Sequence, residues 1–170
     1  MSKFAVVLAV LGAGLWLAAC AETPAPPAPR PPEMTDRERA ASEVHVDPAA
    51  AADMISHYRS EHALSAVRPD PALQKLAQAQ ANAMAAQDRL SHEVNGNLTE
   101  RLDAAHLGQL TAVENVSAGY FSLPAAVAGW RRSPPHDANL LAPSMRHLGI
   151  ATAYAPGTRF KVYWALVMSN

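Results

Sequence analysis

This sequence of 170 residues contains only one cysteine, has almost no excess of either charge, and lacks a run of basic residues. A single cysteine excludes a disulfide bond within the chain, and the lack of a Cys-x-x-Cys pair excludes a zinc site of the four-cysteine type. The balance of 14 basic and 15 acidic residues, without a lysine or arginine cluster, argues against a nucleic-acid partner. Any metal must therefore be bound by imidazole and oxygen ligands, for which seven histidines are available.

The first 19 residues have the pattern of an export signal. A short basic start is followed by an apolar run from Phe4 to Ala19. This order is typical of a signal peptide, and the run is slightly short for a spanning helix, which needs about 20 apolar residues. With 49 % hydrophobic residues in the whole chain, a packed domain is expected to follow.

The only cysteine, Cys20, comes directly after this run. The sequence Leu17-Ala18-Ala19-Cys20 resembles the bacterial lipobox, in which the cysteine is lipidated and becomes the mature N-terminus. An ordinary secretory signal cut near Ala19 is the alternative. The lipobox predicts an extracytoplasmic lipoprotein whose partner is a lipid bilayer, reached through acylated Cys20. Because Ala21 rather than aspartate follows, the expected location in a two-membrane bacterium is the outer membrane.

A proline-rich segment separates the cysteine from the rest of the chain. Six of the 14 prolines lie between Ala21 and Pro32, which excludes a helix and favours polyproline II. Residues 33–46 are charged and have no clear apolar period. We therefore predict a disordered tether over residues 20–46 and a folded domain over residues 47–170.

Two Asp-Pro pairs predict helix starts. Asp47-Pro48 and Asp70-Pro71 each place an N-cap side chain before a proline at the first helical position. The first helix is expected to run to about His62, and the second to carry an apolar stripe that Gln80 interrupts. A buried amide without partners costs about 1–3 kcal/mol. Gln80 is therefore expected to face a hydrogen-bonding neighbour or a polar cleft.

The second half of the chain changes from helical to β-rich patterns. A short helix is predicted over residues 98–105, and another begins near Ser122 and ends before Pro134. The apolar segments 148–154 and 161–167 are separated by Ala155-Pro156-Gly157-Thr158, which predicts an antiparallel hairpin. Helices first and a hairpin last indicate an α+β domain.

An ordered series of short motifs runs through this predicted domain. It includes Tyr58-Arg59, Ser91-His92, Glu100-Arg101, Glu114-Asn115-Val116, Trp130, Ser133-Pro134-Pro135-His136, Leu148-Gly149-Ile150-Ala151 and Tyr163-Trp164. The series resembles the bacterial branch of the CAP superfamily, whose domain is also called SCP, and it covers about Ala51 to Val167. The resemblance implies the family's three-layer α-β-α sandwich.

The resemblance also implies a polar cleft lined by His92, Glu114 and His136. These residues stand at the histidine of the family's Ser-His motif, the glutamate of its Glu-Asn-Ile motif and the histidine of its Ser-Pro-Gly-His motif. Pro135 replaces the glycine of the last motif. Two histidines and a carboxylate suit either a divalent metal such as zinc or acid–base chemistry near neutral pH. A purely structural hydrogen-bonded cluster is a further possibility.

Two departures from the family pattern remove potential metal ligands. The family's second acid follows the tryptophan by about three residues, but here Trp130 is followed by Arg131-Arg132-Ser133. Many bacterial relatives carry a histidine where this chain has Gln80. The predicted metal ligands are therefore only His92 and His136, with Gln80 as a further cleft residue.

Two functions remain open at this stage. The first is a non-catalytic binding module on a lipid anchor, with a lipid, a cell-wall fragment or a protein as its ligand. The alternative is an envelope hydrolase that uses a metal or His/Glu acid–base chemistry, although no Gly-x-Ser-x-Gly elbow is present. The missing ligands favour binding over catalysis, and a structural envelope protein is the third possibility.

Overall fold

The computed structural model describes residues 34–170, so the predicted signal peptide, Cys20 and the proline-rich part of the tether lie outside the described residues. The helices in this part are α1 (Asp36–Ser42), α2 (Pro48–Ser60), α3 (Pro71–Ala86), α4 (Leu98–Ala104), α5 (Leu123–Arg131) and α6 (Pro134–Leu140). The strands are β1 (Arg68–Pro69), β2 (Ala112–Ala118), β3 (His147–Tyr154) and β4 (Val162–Ser169). Within the described helices, none is long and apolar enough to cross a membrane.

Local capping explains why the main helices begin where they do. The Asp47 carboxylate accepts a hydrogen bond from the Ala49 N–H, and that of Asp70 accepts from the N–H groups of Ala72 and Leu73. In both helices the residue after the cap is a proline. Proline fits there because an N–H at the first helical position would have no acceptor within the helix. The two helix starts predicted from Asp-Pro pairs are therefore confirmed.

The four strands form one sheet in the order β1-β3-β4-β2. Strands β3 and β4 pair antiparallel, with Ile150 opposite Leu166, which confirms the predicted hairpin. Strand β2 pairs antiparallel with β4, and the two-residue strand β1 pairs parallel with β3. Consequently β1 and β2 form opposite edges of the sheet.

Each face of the sheet carries its own apolar core. One core packs α3 against the faces of β3 and β4 that present Ala151, Ala153, Tyr163 and Ala165. The other packs α1, α2, α5 and α6 against the face that presents Ile150, Trp164 and Leu166. Two helical layers around one sheet confirm the three-layer α-β-α architecture.

Gly149 shows how closely α3 approaches the sheet. A Cβ atom built on Gly149 would lie 2.1 Å from the Leu73 carbonyl carbon and 2.2 Å from the Gln74 nitrogen. Since both neighbours are backbone atoms, no side-chain movement makes room. The Gln74 amide completes the contact because it donates to the Ile150 carbonyl at 2.7 Å and accepts from the Ile150 N–H at 3.0 Å.

The folded part begins earlier than the boundary predicted at residue 47. Helix α1 lies within the segment predicted to be tether, and Ala41 and Val44 pack into the core. The Thr152 hydroxyl donates to the Val44 carbonyl at 3.2 Å, and the Lys161 ammonium lies 3.0 Å from a Glu38 oxygen. The partner residues belong to β3 and to the hairpin region, so the sequence around α1 does not predict these contacts.

Helix α6 also departs from the sequence expectation. Pro134 and Pro135 were expected to end the preceding helix, and α5 does stop at Arg131. The same two prolines then occupy the first turn of α6, which extends to Leu140. Proline is tolerated there because the first turn of a helix needs no N–H.

Candidate functional site

The four predicted cleft residues come from different elements. Gln80 lies on α3, His92 lies in the loop that follows it, Glu114 lies on β2 and His136 lies in the first turn of α6. Strand β2 is an edge strand, and both the loop and α6 form hydrogen bonds to its side chains. The candidate site is therefore built on the β2 edge of the sheet.

Glu114 is the buried centre of this site. Its side chain is only 2 % exposed, and both carboxylate oxygens have partners. Oε1 lies 2.7 Å from Nδ1 of His92, and Oε2 accepts a hydrogen bond of 2.7 Å from Nη2 of Arg101. The paired guanidinium offsets the cost of burying the carboxylate charge.

Arg101 is the site residue that sequence reasoning missed. Its side chain is 5 % exposed, and besides Glu114 it donates to the carbonyls of Gly96 at 3.0 Å and of His92 at 3.3 Å. The helix that carries it starts with a capping box between Asn97 and Glu100. The Glu100-Arg101 motif was visible, but nothing in the spacing of Arg101 and Glu114 predicts their contact.

His92 is the accessible partner of Glu114. Its side chain is 54 % exposed, and the hydrogen bond to Glu114 raises the pKa of its imidazole above the ordinary value. Partial burial and the Arg101 charge act in the opposite direction, but they do not cancel the effect. Bonded through Nδ1, the ring leaves Nε2 as the nitrogen that can meet a ligand.

The pKa of His136 shifts in the opposite direction to that of His92. The His136 Nδ1 lies 2.9 Å from the Ser133 hydroxyl, and burial, followed by repulsion from the charge on His92, lowers the pKa of the imidazole. Within the described part of the chain, no hydrogen bond joins His136 to His92 or Glu114. The two histidines are thus coupled through their charges rather than by a direct contact.

Two asparagines connect His136 to the strand. The Asn115 amide donates to the His136 carbonyl at 2.9 Å. The Asn139 amide donates to the Glu114 carbonyl and to the Asn115 side-chain oxygen, both at 2.9 Å. Because neighbouring side chains of a strand point to opposite faces, Glu114 binds His92 on one face while Asn115 holds α6 on the other.

Gln80 supports the loop that carries His92. The residue is fully buried, and its amide nitrogen donates to the Ser91 carbonyl at 2.8 Å. Its oxygen has no hydrogen-bond partner in the described structure. The expectation of a hydrogen-bonding neighbour is met for one end of the amide, and the residue acts on the site by holding Ser91 next to His92.

The geometry bears directly on metal binding. Among residues 34–170, no group of three or more histidine, cysteine, aspartate or glutamate side chains is placed to hold a metal ion. The Glu114 carboxylate is 2 % exposed, and each of its oxygens already has a partner, His92 or Arg101, so it is not presented at the surface as a third ligand. Binding of zinc by His92 and His136 stays a prediction.

Comparison with known proteins identifies the family. The model of the CAP family, described as the cysteine-rich secretory protein family, matches residues 52–168. The chain belongs to the CAP family. Its CAP domain is 31 % identical over 100 residues to a protein of Bacillus subtilis strain 168 that is described as an uncharacterized membrane protein. That match covers 58 % of this chain and 29 % of the relative, so the chain spans less than a third of the relative's length.

Solved structures share the CAP domain's fold. An extracellular SCP-domain protein of Bacillus anthracis str. Ames superposes with a TM-score of 0.62 and 24 % identity, over 71 % of this chain and 39 % of that one. An outer surface protein of Borrelia burgdorferi superposes with a TM-score of 0.64 and 16 % identity, over 75 % of this chain and 97 % of that one. At these identities the likeness shows the fold alone.

Proposed function

We propose that this CAP-domain protein is an envelope-anchored lipoprotein that binds a ligand, without catalysis, at the cleft bordered by His92 and His136. The observation that carries the proposal is the double engagement of Glu114 by His92 and Arg101. A carboxylate held in this way fixes the orientation of the imidazole, and because Glu114 is buried, a ligand meets His92 rather than Glu114. The site is therefore preorganised for recognition.

The ligand chemistry follows from the groups that remain accessible. The raised pKa of His92 widens the pH range in which the ring is protonated, and in that form its exposed Nε2 is an N–H donor. His136 keeps a neutral ring beside it because its pKa is lowered. A lipid headgroup, a cell-wall fragment or a protein that offers a hydrogen-bond acceptor to His92 matches this pair.

Co-sedimentation tests the binding function. The purified protein is mixed with purified cell-wall fragments or with lipid vesicles, and wild type is compared with His92→Ala, His136→Ala and the control His57→Ala. The His57 side chain is 82 % exposed on α2, a helix that packs on β1 and β3. We expect the two cleft variants to lose binding to one of the preparations while the control retains it. Equal binding by all four proteins would contradict the proposal.

Zinc titration tests the metal prediction separately. With only two imidazoles available, we expect weak binding of one ion that is lost in His92→Ala and in His136→Ala. If neither substitution changes the affinity or the stoichiometry, the shared metal site is wrong. The binding function does not depend on this outcome.

One contact favours the hydrolase as a second candidate. The Ser133 hydroxyl lies 2.9 Å from His136, whose lowered pKa keeps it neutral and able to accept a proton. However, Pro134 and Pro135 follow directly and supply no N–H to stabilise an oxyanion. Labelling with a fluorophosphonate tests this nucleophile. Labelling that Ser133→Ala abolishes would support a serine hydrolase, and no labelling would exclude Ser133 as the nucleophile.

The lipid anchor is part of the same proposal. It is supported by the lipobox-like sequence ending at Cys20 and by relatives described as membrane, extracellular and outer surface proteins. Acylation with two or more chains would hold the domain firmly, since each buried methylene contributes about 0.8 kcal/mol. We expect Cys20→Ala to block processing of the precursor. A substituted protein that is still processed and still partitions with membranes would exclude acylation at Cys20.

A further inference from the structure

A second polar site lies at the opposite edge of the sheet from His92. Strands β1 and β3 begin there, beside a pocket of about 390 Å³ lined by Ser65, Ala66, Arg68, Arg146 and His147. The register pairs Arg68 with His147 across the two parallel strands. We call this cavity the β1-edge pocket, and its polar lining consists of two guanidinium groups, an imidazole and a hydroxyl group.

A buried cation stands directly behind this pocket. Arg59 is 0 % exposed, and its guanidinium donates only to backbone carbonyls, namely those of Ser65, Leu140, Ala142 and Met145. Its link to Ser65 places one of these hydrogen bonds in the wall of the pocket. A buried guanidinium without a carboxylate leaves its positive charge uncompensated, so the potential in the adjacent pocket is positive.

Two guanidinium groups converge on a single carbonyl at this place. The Met145 oxygen accepts 3.1 Å from Nη2 of Arg59 and 2.8 Å from Nη1 of Arg146, and the Arg146 nitrogen also donates to Pro143 at 2.9 Å. Arg146 is thereby held in place against the repulsion of Arg59. Like charges fixed at such proximity cost free energy unless an anion offsets them.

The described part of the chain supplies no such anion. None of its ion pairs involves Arg59, Arg68 or Arg146. Asp70, two residues from Arg68, uses its carboxylate to cap α3, and Glu61, two residues from Arg59, pairs with His57 and Arg131. Arg68 is exposed and makes no side-chain hydrogen bond within residues 34–170, so its guanidinium is free to meet a ligand.

We infer that the β1-edge pocket binds a phosphate-bearing ligand, with Arg68 and Arg146 as its direct contacts and Ser65 and His147 as additional hydrogen-bonding groups. Guanidinium groups pair with phosphate oxygens in a bidentate geometry, which favours phosphate over a simple halide. A lipid headgroup and a soluble phosphate ester share this chemistry.

An NMR titration of the purified protein tests the inference. Inorganic phosphate is added at constant ionic strength, and amide shifts are compared with those caused by chloride. We expect saturable shifts at Ser65, Arg68, Arg146 and His147. The variant Arg68→Ala/Arg146→Ala is expected to bind at least about tenfold more weakly, because it removes both guanidinium groups that form charged hydrogen bonds to the phosphate.

A matched variant controls for net charge. Arg39→Ala/Arg89→Ala also removes two exposed guanidinium groups, and neither of these makes a side-chain hydrogen bond or ion pair in the described structure. The control is expected to bind phosphate as the wild type does. Absence of saturable shifts, or equal weakening in both double variants, overturns the inference. Thermal unfolding of both variants confirms that each one is folded.

A second titration distinguishes the sources of the phosphate. Dihexanoyl phosphatidylglycerol, added as a monomer below its micelle concentration, is compared with glycerol 3-phosphate at the same amides. Tighter binding of the lipid assigns the pocket to a headgroup, and tighter binding of glycerol 3-phosphate assigns it to a soluble ester. Both results support the inference, whereas shifts confined to the β2 edge overturn it.

Discussion

The imidazole of His92 is bonded to the buried carboxylate of Glu114, with 2.7 Å between Nδ1 and Oε1. This bond joins a side chain that is 54 % exposed to one that is 2 % exposed. The solvent-accessible ring is therefore held from inside the protein. Its orientation depends on a charge that a ligand does not reach.

Replacement of Glu114 tests this dependence. Glu114→Gln leaves Arg101 buried without its counter-charge, so we expect the free energy of unfolding in urea to fall by about 3 kcal/mol. The pKa of His92 should fall at the same time, because its main partner is lost. The control is Glu93→Gln, which removes a nearby exposed carboxylate. A loss of stability equal in both variants would contradict a special role of Glu114.

The raised pKa of His92 predicts a pH-dependent contribution to stability. Because the folded-state pKa lies above the ordinary 6.5, the contribution is fully present below that pH and is lost as the pH rises through the folded-state pKa. We compare the free energies of unfolding of wild type and His92→Gln from about pH 5.5 to about pH 8.5. The difference between them should shrink with rising pH. A difference that grows over this range would have the wrong sign.

His136 should show the reverse dependence. Its folded-state pKa is lowered, so its contribution is present above the ordinary 6.5 and is lost as the pH falls through the folded-state pKa. In a titration followed by imidazole NMR signals, His136 should therefore titrate at lower pH than His92. Substitution His92→Gln removes a repelling charge and should move the pKa of His136 upward. An unchanged His136 titration in that variant would show that the two rings are not coupled.

Asn139 is expected to hold α6 in place on strand β2. Asn139→Ala leaves the Glu114 carbonyl and the Asn115 side-chain oxygen without this donor, and we expect a loss of about 1–3 kcal/mol in urea unfolding. Amide exchange at His136 should become faster. The matched control is Asn82→Ala, since Asn82 is exposed on α3 and accepts only from Gln78. Comparable effects of the two substitutions would show that the link to α6 contributes little.

Gly149 tests the close packing of α3 on the sheet. A methyl group there meets the Leu73 and Gln74 backbone at 2.1 and 2.2 Å, so Gly149→Ala should lower the free energy of unfolding by about 3 kcal/mol or more. Gly157→Ala provides the comparison, because nothing lies within 4 Å of its Cβ position although its φ is +85°. Only the conformational cost of about 1–2 kcal/mol applies at Gly157. Similar melting temperatures for the two variants would contradict the close approach.

Part of the fold follows from local chemistry alone. The Asp47 and Asp70 caps act over two or three residues, and the hairpin of β3 and β4 follows from two apolar segments and a turn. Each of these signals acts on residues close to it in the chain, so a single sequence is enough to predict its effect. Helix α1 also has a local signal, the capping box between Thr35 and Glu38. Its place in the folded domain is not local, because Ala41 packs into the core and the nearby Val44 carbonyl accepts from the distant Thr152.

The candidate site also has a part that the sequence predicts and a part that only the tertiary structure shows. Sequence alone determined the capped helices, the late hairpin and the motifs that carry His92, Glu114 and His136. Only the tertiary structure decided that Arg101 occupies the second oxygen of Glu114, and that Arg59 stands without a carboxylate behind the β1-edge pocket. The physical reason is that ion pairing and burial depend on distances between side chains from separate elements, and the packing of α3 and α6 on the sheet sets those distances.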